Sequence, residues 1–269
     1  MALKYGLVDT TSPVARFAKQ RIAERSAKTD STSILPTNAK EIKPVSQPDL
    51  LSKFIQAKID RPETMSDSLI LTMAVSMVFD AGETVAISLS SVFYYLLKNP
   101  RCMEVLMKEL DDKAREGYFK DSEHGLVTWV ESVGLSYLDA CIKEAFRLHP
   151  ASGLPLERIV PPQGAEVAGE FIKGGTIVGC SAWVIHRRPE VFGKDIEAFR
   201  PERWLVDKSK DEGNEEKRIK EMNGILLQFG MGVHTCIGKN ISLLEIYKLV
   251  PAVLRRFEVS NPSLPLNQD

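Results

Sequence analysis

The chain has 269 residues, of which 43% are hydrophobic and 26% charged, a composition typical of a globular protein with a sizeable core. With 35 basic and 36 acidic residues its net charge is −1, which excludes a global basic field for holding nucleic acid or an anionic membrane. The four cysteines form no C-x-x-C pair, which argues against a zinc site and a secreted disulfide framework. They are Cys102, Cys141, Cys180 and Cys236.

The N-terminal part of the chain predicts helices joined by a polar loop. The first 13 residues contain no apolar run long enough for a signal peptide, so the chain as given is expected in the cytoplasm. Apolar residues at helical spacing predict a helix over 12–27. The stretch 26–48 is rich in Ser, Thr and Pro, which predicts a loop. A short helix is expected over 49–58.

The longest weakly charged stretch of the chain is 66–97. It is interrupted by Asp67, Asp80 and Glu83, whereas a membrane-spanning helix needs about 20 mostly apolar residues. We therefore interpret this segment as a buried helix of a soluble protein. Further helices are predicted over 102–115 and 135–148.

After Pro150 the sequence changes to short β-type runs separated by glycine-containing turns. The runs 176–178 and 183–185 predict strands of a small sheet. In contrast, charges dominate 207–221 almost to the exclusion of apolar side chains, which predicts a solvated loop.

A last helix is expected to run from Cys236 to Arg256, with Pro251 kinking or shortening it. No internal repeat is visible in the chain. The pattern as a whole predicts one domain over 1–269 that is mainly α with a small β-sheet region.

Cys236 lies between a glycine-rich loop and the start of the last predicted helix. The nearby Gly230, Gly232 and Gly238 let the backbone bend tightly and let a flat group approach closely. Backbone N–H groups and the positive end of a helix favour a thiolate over a thiol, and a solitary thiolate suits an iron ligand in a haem-thiolate centre. The alternatives are a small buried hydrophobe or an incomplete phosphate-binding loop, in which Thr235 replaces the third glycine.

Two further patterns carry charged or polar side chains. Glu144 and Arg147 are three residues apart on one helical face, a spacing that alone is typical of an exposed ion pair. In the long helix, Gly82 costs about 1 kcal/mol relative to alanine. Thr84 can hydrogen-bond back to the preceding turn, so the backbone is weakened at one point.

These motifs together resemble the cytochrome P-450 family: the segment 229–238, the Glu-Arg helix, the Phe-Arg-Pro-Glu-Arg-Trp run at 199–204 and the Gly-Glu-Thr of the long helix. The sequence of 236–248 is most similar to pisatin demethylase-type members from filamentous fungi. The resemblance implies the C-terminal part of that fold and a haem with Cys236 as its axial iron ligand. The other cofactor-binding residues that it implies are Phe229, Gly230, Gly232, His234, Gly238, Arg158 and His186.

The resemblance also assigns roles to individual side chains. His234 stands where an arginine usually contacts a haem propionate, and a histidine can donate the same hydrogen bond. Phe229 is expected to pack close to the sulfur and limit solvent access. Arg158 matches a propionate-binding arginine, and His186 is a candidate for a further propionate contact.

Two groups of residues are implied to act away from the iron ligand. Glu144, Arg147 and Arg203 would form a buried structural network in which one carboxylate is shared by two guanidiniums. Glu83 and Thr84 would deliver protons to dioxygen, although Asp80 and Ala81 stand where the family usually has Ala and Gly.

The activity implied is that of a haem-thiolate monooxygenase of secondary metabolism, which uses dioxygen to oxidise a small apolar organic substrate. Its electrons would come from NADPH through a reductase, and no nucleic acid is expected as a partner. Intact members of the family are much longer, and eukaryotic ones are anchored in the endoplasmic-reticulum membrane, so the chain resembles a C-terminal portion. The alternative is a truncated, catalytically silent haem-binding or interaction protein.

Overall fold

The computed structural model describes residues 13–32, 49–121 and 123–260. The predicted class, mainly α with a small β-sheet region, is confirmed. The chain divides into two compact units, Met1–Glu83 and Thr84–Asp269, where the sequence predicts one domain.

The first unit contains two complete helices and the beginning of a third. Helix α1 (Pro13–Thr32) extends beyond the predicted 12–27, so the loop predicted over 26–48 is wrong for 26–32, and the rest of it lies outside the described residues. Helix α2 (Leu50–Asp60) begins after Asp49, whose side chain accepts a hydrogen bond from the Ser52 amide at 2.8 Å. This contact satisfies one of the free N–H groups of the first turn.

Helix α3 (Asp67–Lys98) is the longest helix of the chain. Its residues 76–84 are all exposed, including Phe79, which is 60% exposed. From Val85 onward one face is buried through Val92 and Leu96. The prediction of a buried helix is therefore wrong for 76–84, because no other described element covers this stretch. By length and apolar composition helix α3 could cross a bilayer, a test that core helices of soluble proteins also pass. Core helices are mostly buried, whereas 11% of the apolar window of α3 is buried.

The core of the second unit is built from α3 after Val85 and from helices α4 (Pro100–Arg115), α6 (Ser136–Leu148) and α10 (Lys239–Arg256). The short helix α5 (Trp129–Val133) lies between α4 and α6 in the chain. Helix α4 buries Cys102, Leu106 and Leu110, which lie four residues apart and so share one helical face. Almost the whole of α6 is buried between its neighbours. This central position makes α6 the element around which the site is assembled.

Four short strands form two antiparallel pairs. Strand β1 (Pro155–Ile159) pairs with β4 (Ile177–Ser181), and β2 (Ala165–Val167) pairs with β3 (Glu170–Ile172). The sequence predicts a strand over 183–185, but this run is part of the helical turn α7 (Ala182–Ile185), so that prediction is wrong. The buried Ala182 and the hydrogen bond from the His186 amide to the Ala182 carbonyl, 3.0 Å long, close this turn.

The charged stretch predicted as a loop over 207–221 contains most of helix α9 (Glu212–Ile225), so that prediction is wrong. Asp211 caps the helix by accepting a hydrogen bond from the Asn214 amide at 2.9 Å. Met222 is fully buried beside Phe192 and Trp204. Ile219 and Leu226 pack against the same cluster, and Glu215 pairs with Arg218 at 2.7 Å.

Two short helical segments and the last helix complete the fold. Helix α8 (Pro189–Phe192) precedes a 3₁₀ turn over Pro201–Trp204. Helix α10 begins at Lys239 rather than at Cys236, which therefore lies in the loop before it. It includes the buried Pro251 and continues to Arg256.

Candidate functional site

The cysteine-bearing loop is closed on itself by backbone hydrogen bonds. The Cys236 amide donates to the Phe229 carbonyl at 2.8 Å, and the Thr235 amide and hydroxyl both donate to the Gly232 carbonyl, at 3.2 and 2.8 Å. Cys236 is exposed at the end of this closed loop. The loop thus presents the thiol outward instead of packing it into the core as a small hydrophobe.

Two glycines are required by the backbone of this loop. Gly230 and Gly232 both have φ of +69°, a left-handed conformation that side chains with a Cβ rarely adopt. At Gly230 an added Cβ would also lie 3.3 Å from the His234 carbonyl oxygen. Gly238 differs, since its φ is −80°, and a Cβ there would meet the Cys236 sulfur at an ordinary 3.7 Å.

A cavity of about 230 Å³ in the second unit brings several predicted residues together. Its walls include Cys236, His234, Arg158 and Thr84 together with apolar side chains such as Leu156 and Phe229. A thiol, two side chains able to carry positive charge and a hydroxyl thus face one largely apolar space. Thr84 and Cys236, which are distant in the sequence, meet here because β1, α3 and the loop before α10 border the same cavity.

Other predicted residues lie outside the cavity lining. Glu83 is exposed and is the last residue of the first unit. His186 is fully buried, and both of its ring nitrogens are within hydrogen-bond distance of backbone atoms. Phe229, by contrast, lines the cavity, and its half-buried ring lies edge-on to Phe146, with centroids 6.0 Å apart.

Glu144 is the centre of a fully buried polar network. Its two carboxylate oxygens accept from Arg147 Nε and Nη2 at 2.9 and 2.8 Å and from Arg203 Nε at 3.1 Å. The Trp204 indole donates at 2.8 Å and the Arg200 amide at 3.1 Å. Five donors on one carboxylate satisfy its lone pairs, which makes burial of the charge tolerable. The network therefore joins α6 to the 3₁₀ turn.

The two arginines extend this network along the chain. Arg147 also donates to the carbonyls of His186, Ile196 and Ala198 at 2.7–3.2 Å. Arg203 donates to the Phe192 carbonyl and, at 3.1 Å, to the Asp195 carboxylate. Burial lowers the pKa of Arg203, while Glu144 and Asp195 act in the opposite direction. The guanidiniums thus hold the irregular segment 186–203 in place.

A second ion pair supports the same region and is not predicted from the sequence. Arg218 pairs with Glu215 at 2.7 Å and donates to the carbonyls of Arg203 and Leu205, at 2.7 and 3.2 Å. The pair clamps the backbone on both sides of Trp204 onto α9. Glu215 and Arg218 have the same i, i+3 spacing as Glu144 and Arg147, which could have predicted the ion pair. The many other charges in 207–221 favoured a solvated loop instead.

Within the residues the structure describes, no group of three His, Cys, Asp or Glu side chains lies close enough together to hold a metal ion. A metal at this site would therefore not be held by three side chains of these types from the described residues. Cys236 is the cysteine placed at the cavity, which makes it the candidate ligand.

Gln228 carries a buried oxygen without a hydrogen-bond partner among the described residues. Its amide nitrogen donates to Ser88 at 3.3 Å, and Oε1 has no such partner. Because a buried unsatisfied carbonyl costs about 1–3 kcal/mol, we expect Gln228→Met to raise the free energy of unfolding of the cofactor-free chain by about 1 kcal/mol. Urea denaturation of both proteins measures this. A loss of stability in the variant would contradict the prediction.

Comparison of the sequence with known proteins identifies one family. A family model described as cytochrome P-450 matches residues 7–268. The cytochrome P-450 monooxygenase cicH of Emericella nidulans is 43% identical over 246 residues, which are 91% of this chain and 45% of that protein. A cytochrome P-450 monooxygenase of Aspergillus terreus is 41% identical over 249 residues, 93% of this chain and 47% of that protein.

The similarity to pisatin demethylase predicted from 236–248 is also found. A pisatin demethylase of Fusarium vanettenii is 42% identical over 187 residues, which are 69% of this chain and 33% of that protein. The chain thus spans less than half the length of these relatives. Because the family model matches residues 7–268 and a relative is 43% identical to the chain, the chain belongs to the cytochrome P-450 family.

Proposed function

We propose that this chain carries the cysteine-ligand side of a haem-thiolate monooxygenase, with Cys236 as the axial ligand of the iron. The observation that supports this most directly is that Cys236 is exposed at one cavity with His234 and Arg158. Because the chain spans less than half of its relatives, the activity belongs to the proposal as well: oxidation of a small apolar organic substrate by dioxygen.

The residues around the cavity fit a haem. A haem is a flat apolar ring with two carboxylates, and the cavity combines apolar walls such as Leu156 and Phe229 with Arg158 and His234, which can donate hydrogen bonds to carboxylates. Gly230 and Gly232 keep the loop backbone bare next to the thiol. When bound, the haem would supply the redox chemistry, and a thiolate ligand favours O–O cleavage.

Thr84 is the candidate for proton delivery. It lines the same cavity as Cys236, while its carbonyl oxygen accepts a hydrogen bond from the Ser88 hydroxyl at 2.9 Å. We propose that its hydroxyl holds a water at the cavity as the proton donor, and that Glu83, which lies outside the cavity lining, is the acid that supplies the proton. Glu83 precedes Thr84 in α3.

Replacing Thr84 with alanine is expected to separate electron consumption from product formation. In a protein extended upstream to the length of the relatives, Thr84→Ala should bind haem normally but release peroxide, so the ratio of product to NADPH consumed should fall several-fold. The exposed Ser90 on the same helix offers Ser90→Ala as the matched control. An unchanged ratio in Thr84→Ala would remove Thr84 from this role.

The partners implied by this activity are part of the proposal. An NADPH-dependent reductase would supply the electrons, and the endoplasmic-reticulum membrane is the proposed location of the intact protein. Two of the relatives named above are called cytochrome P-450 monooxygenases, which supports an oxidative role. That this role belongs to secondary metabolism is part of the proposal.

The test of the proposed function is reconstitution of the chain with haem. Thiolate ligation predicts a strongly red-shifted Soret band for the reduced carbon-monoxide complex, and the iron content per polypeptide measures occupancy. Binding with that band but without substrate oxidation, even in the extended protein, would favour a catalytically silent haem-binding protein. Absence of the band in both forms would overturn the proposal.

A further inference from the structure

His186 occupies a fully buried position between two parts of the site. It follows α7, has none of its surface exposed and lies edge-on to Phe192, with ring centroids 6.5 Å apart. A titratable side chain is rarely buried completely unless its polar atoms are satisfied. The identity of its partners therefore indicates what the residue does.

Both ring nitrogens of His186 have a backbone partner. Nε2 lies 2.7 Å from the Leu227 amide nitrogen, and Nδ1 lies 3.2 Å from the Arg147 carbonyl oxygen. An amide N–H can only donate, so Nε2 must offer its lone pair. A carbonyl can only accept, so Nδ1 must carry the proton. The neutral ring protonated at Nδ1 is the one form that satisfies both contacts.

The two partners belong to the two halves of the site. The Arg147 carbonyl lies in the last turn of α6, where carbonyls have no partner within the helix, and the Arg147 guanidinium donates back to the His186 carbonyl at 3.2 Å. Leu227 begins the segment that leads to Cys236, and the Leu227 carbonyl accepts a hydrogen bond from the Gly230 amide at 3.0 Å. One imidazole thus connects the Glu144 network to the entry of the cysteine-bearing loop.

We infer that His186 is a positioning residue that holds the start of the cysteine-bearing loop against the end of α6 through its neutral, Nδ1-protonated ring. The two ring contacts of His186 are sufficient to connect the loop to α6. The consequence for the site, that Cys236 is kept in register for iron ligation, rests on the function proposed above. The family resemblance implied a propionate contact instead, but in this geometry both ring nitrogens are already engaged.

The electrostatic surroundings keep the ring neutral. Burial lowers the pKa of His186 to about 4; the hydrogen bond with the Arg147 backbone acts in the opposite direction, while the nearby cations of Arg147 and Arg187 lower the pKa further. These cations are themselves paired, Arg147 with Glu144 and Arg187 with Glu197. As the pH falls from 6.5, the ordinary pKa of histidine, to about 4, His186 is protonated in the unfolded chain but stays neutral in the folded chain. Stability is therefore expected to fall as the pH drops through this range.

The first test needs no substitution. The four histidines of the chain are labelled with ¹⁵N, and ring nitrogen shifts are recorded by NMR on the whole haem-free chain. We expect one ring to remain neutral and protonated at Nδ1 from neutral pH down to about pH 5, a range that follows from its lowered pKa. Disappearance of this signal in His186→Gln assigns it. A His186 ring protonated at Nε2, or averaging between tautomers, would overturn the inference.

The second test uses two substitutions that each restore one contact. A glutamine can place an oxygen near the position of Nε2, whereas the shorter asparagine reaches only the position of Nδ1. Hydrogen–deuterium exchange of the peptide containing Leu227 should become about tenfold faster in His186→Asn, as expected for one lost buried hydrogen bond. It should remain near the original rate in His186→Gln. The exposed His149 provides the control, His149→Asn. Equal exchange in the Asn and Gln variants would show that the ring only fills space.

The third measurement connects the contact to iron ligation. In chains loaded with haem, His186→Asn should lose most of the red-shifted carbon-monoxide band, and His186→Gln should retain it. A retained band in His186→Asn would limit His186 to local structure and overturn its positioning role. If the unsubstituted chain lacks the band, the proposed haem ligation fails, while the first two measurements still decide whether His186 holds the loop.

Discussion

Replacing Cys236 with alanine is expected to abolish the red-shifted Soret band of the reduced carbon-monoxide complex. The thiolate is the group that produces this band, and Cys236 is the cysteine at the cavity. Because the side chain is exposed in the haem-free chain, the substitution should change the free energy of unfolding of that form by no more than about 0.5 kcal/mol. Difference spectroscopy and urea denaturation measure the two effects separately.

Cys180 supplies the control for this experiment. It is also an exposed, free cysteine, but it lies on β4 and is paired in register with Leu156. Cys180→Ala should leave the band intact. Persistence of the band in Cys236→Ala would show that another group binds the iron.

Glu144→Gln is expected to destabilise the second unit strongly. The amide keeps the size of the side chain but replaces an acceptor oxygen with an N–H donor. At least two of the five hydrogen bonds to Glu144 are then lost, and two buried guanidiniums lose their shared counter-charge. Removing one partner of a buried ion pair costs about 3–5 kcal/mol. The free energy of unfolding and the haem content should both fall.

Glu197→Gln is the matched control for Glu144→Gln. Glu197 also pairs with an arginine, Arg187, at 3.1 Å, but its side chain is 70% exposed. Exposed pairs contribute about 0–1 kcal/mol, so this variant should resemble the unsubstituted chain. Similar losses in the two variants would mean that burial of the Glu144 network adds nothing.

The contrast between Glu144 and Glu215 shows why one network is predicted and the other is not. Both glutamates have an arginine three residues later. The first pair lies in an apolar, strongly periodic helix that must be buried, whereas the second lies in a run of charges that is typical of solvent. Burial of the Glu215–Arg218 pair depends on Phe192 and Trp204, which contact Met222 of α9 only in the folded chain. Local patterning therefore favoured a loop where tertiary packing stabilises α9.

Exposure along α3 could not be read from the sequence either. The apolar pattern of 66–97 predicts that the helix has a buried side, and from Val85 onward it does. Whether 76–84 is covered depends on which other elements reach it, a property of the assembled chain rather than of the helix. The turn at 183–185 is similar, because its β-type residues form a helix once Ala182 is buried.

By itself the sequence determined the family and the mainly α class. It also predicted a set of site residues, since a cysteine between a glycine-rich loop and a helix start is a local pattern. Only the tertiary structure decided which of these side chains meet. It placed Thr84, Arg158 and His234 with Cys236 at one cavity and engaged His186 with the backbone. The physical reason is that turns and helices follow short-range sequence preferences, whereas hydrogen-bond partners distant in sequence are chosen by packing. In this chain, packing buries both carboxylate oxygens of Glu144 and supplies hydrogen-bond donors to each of them.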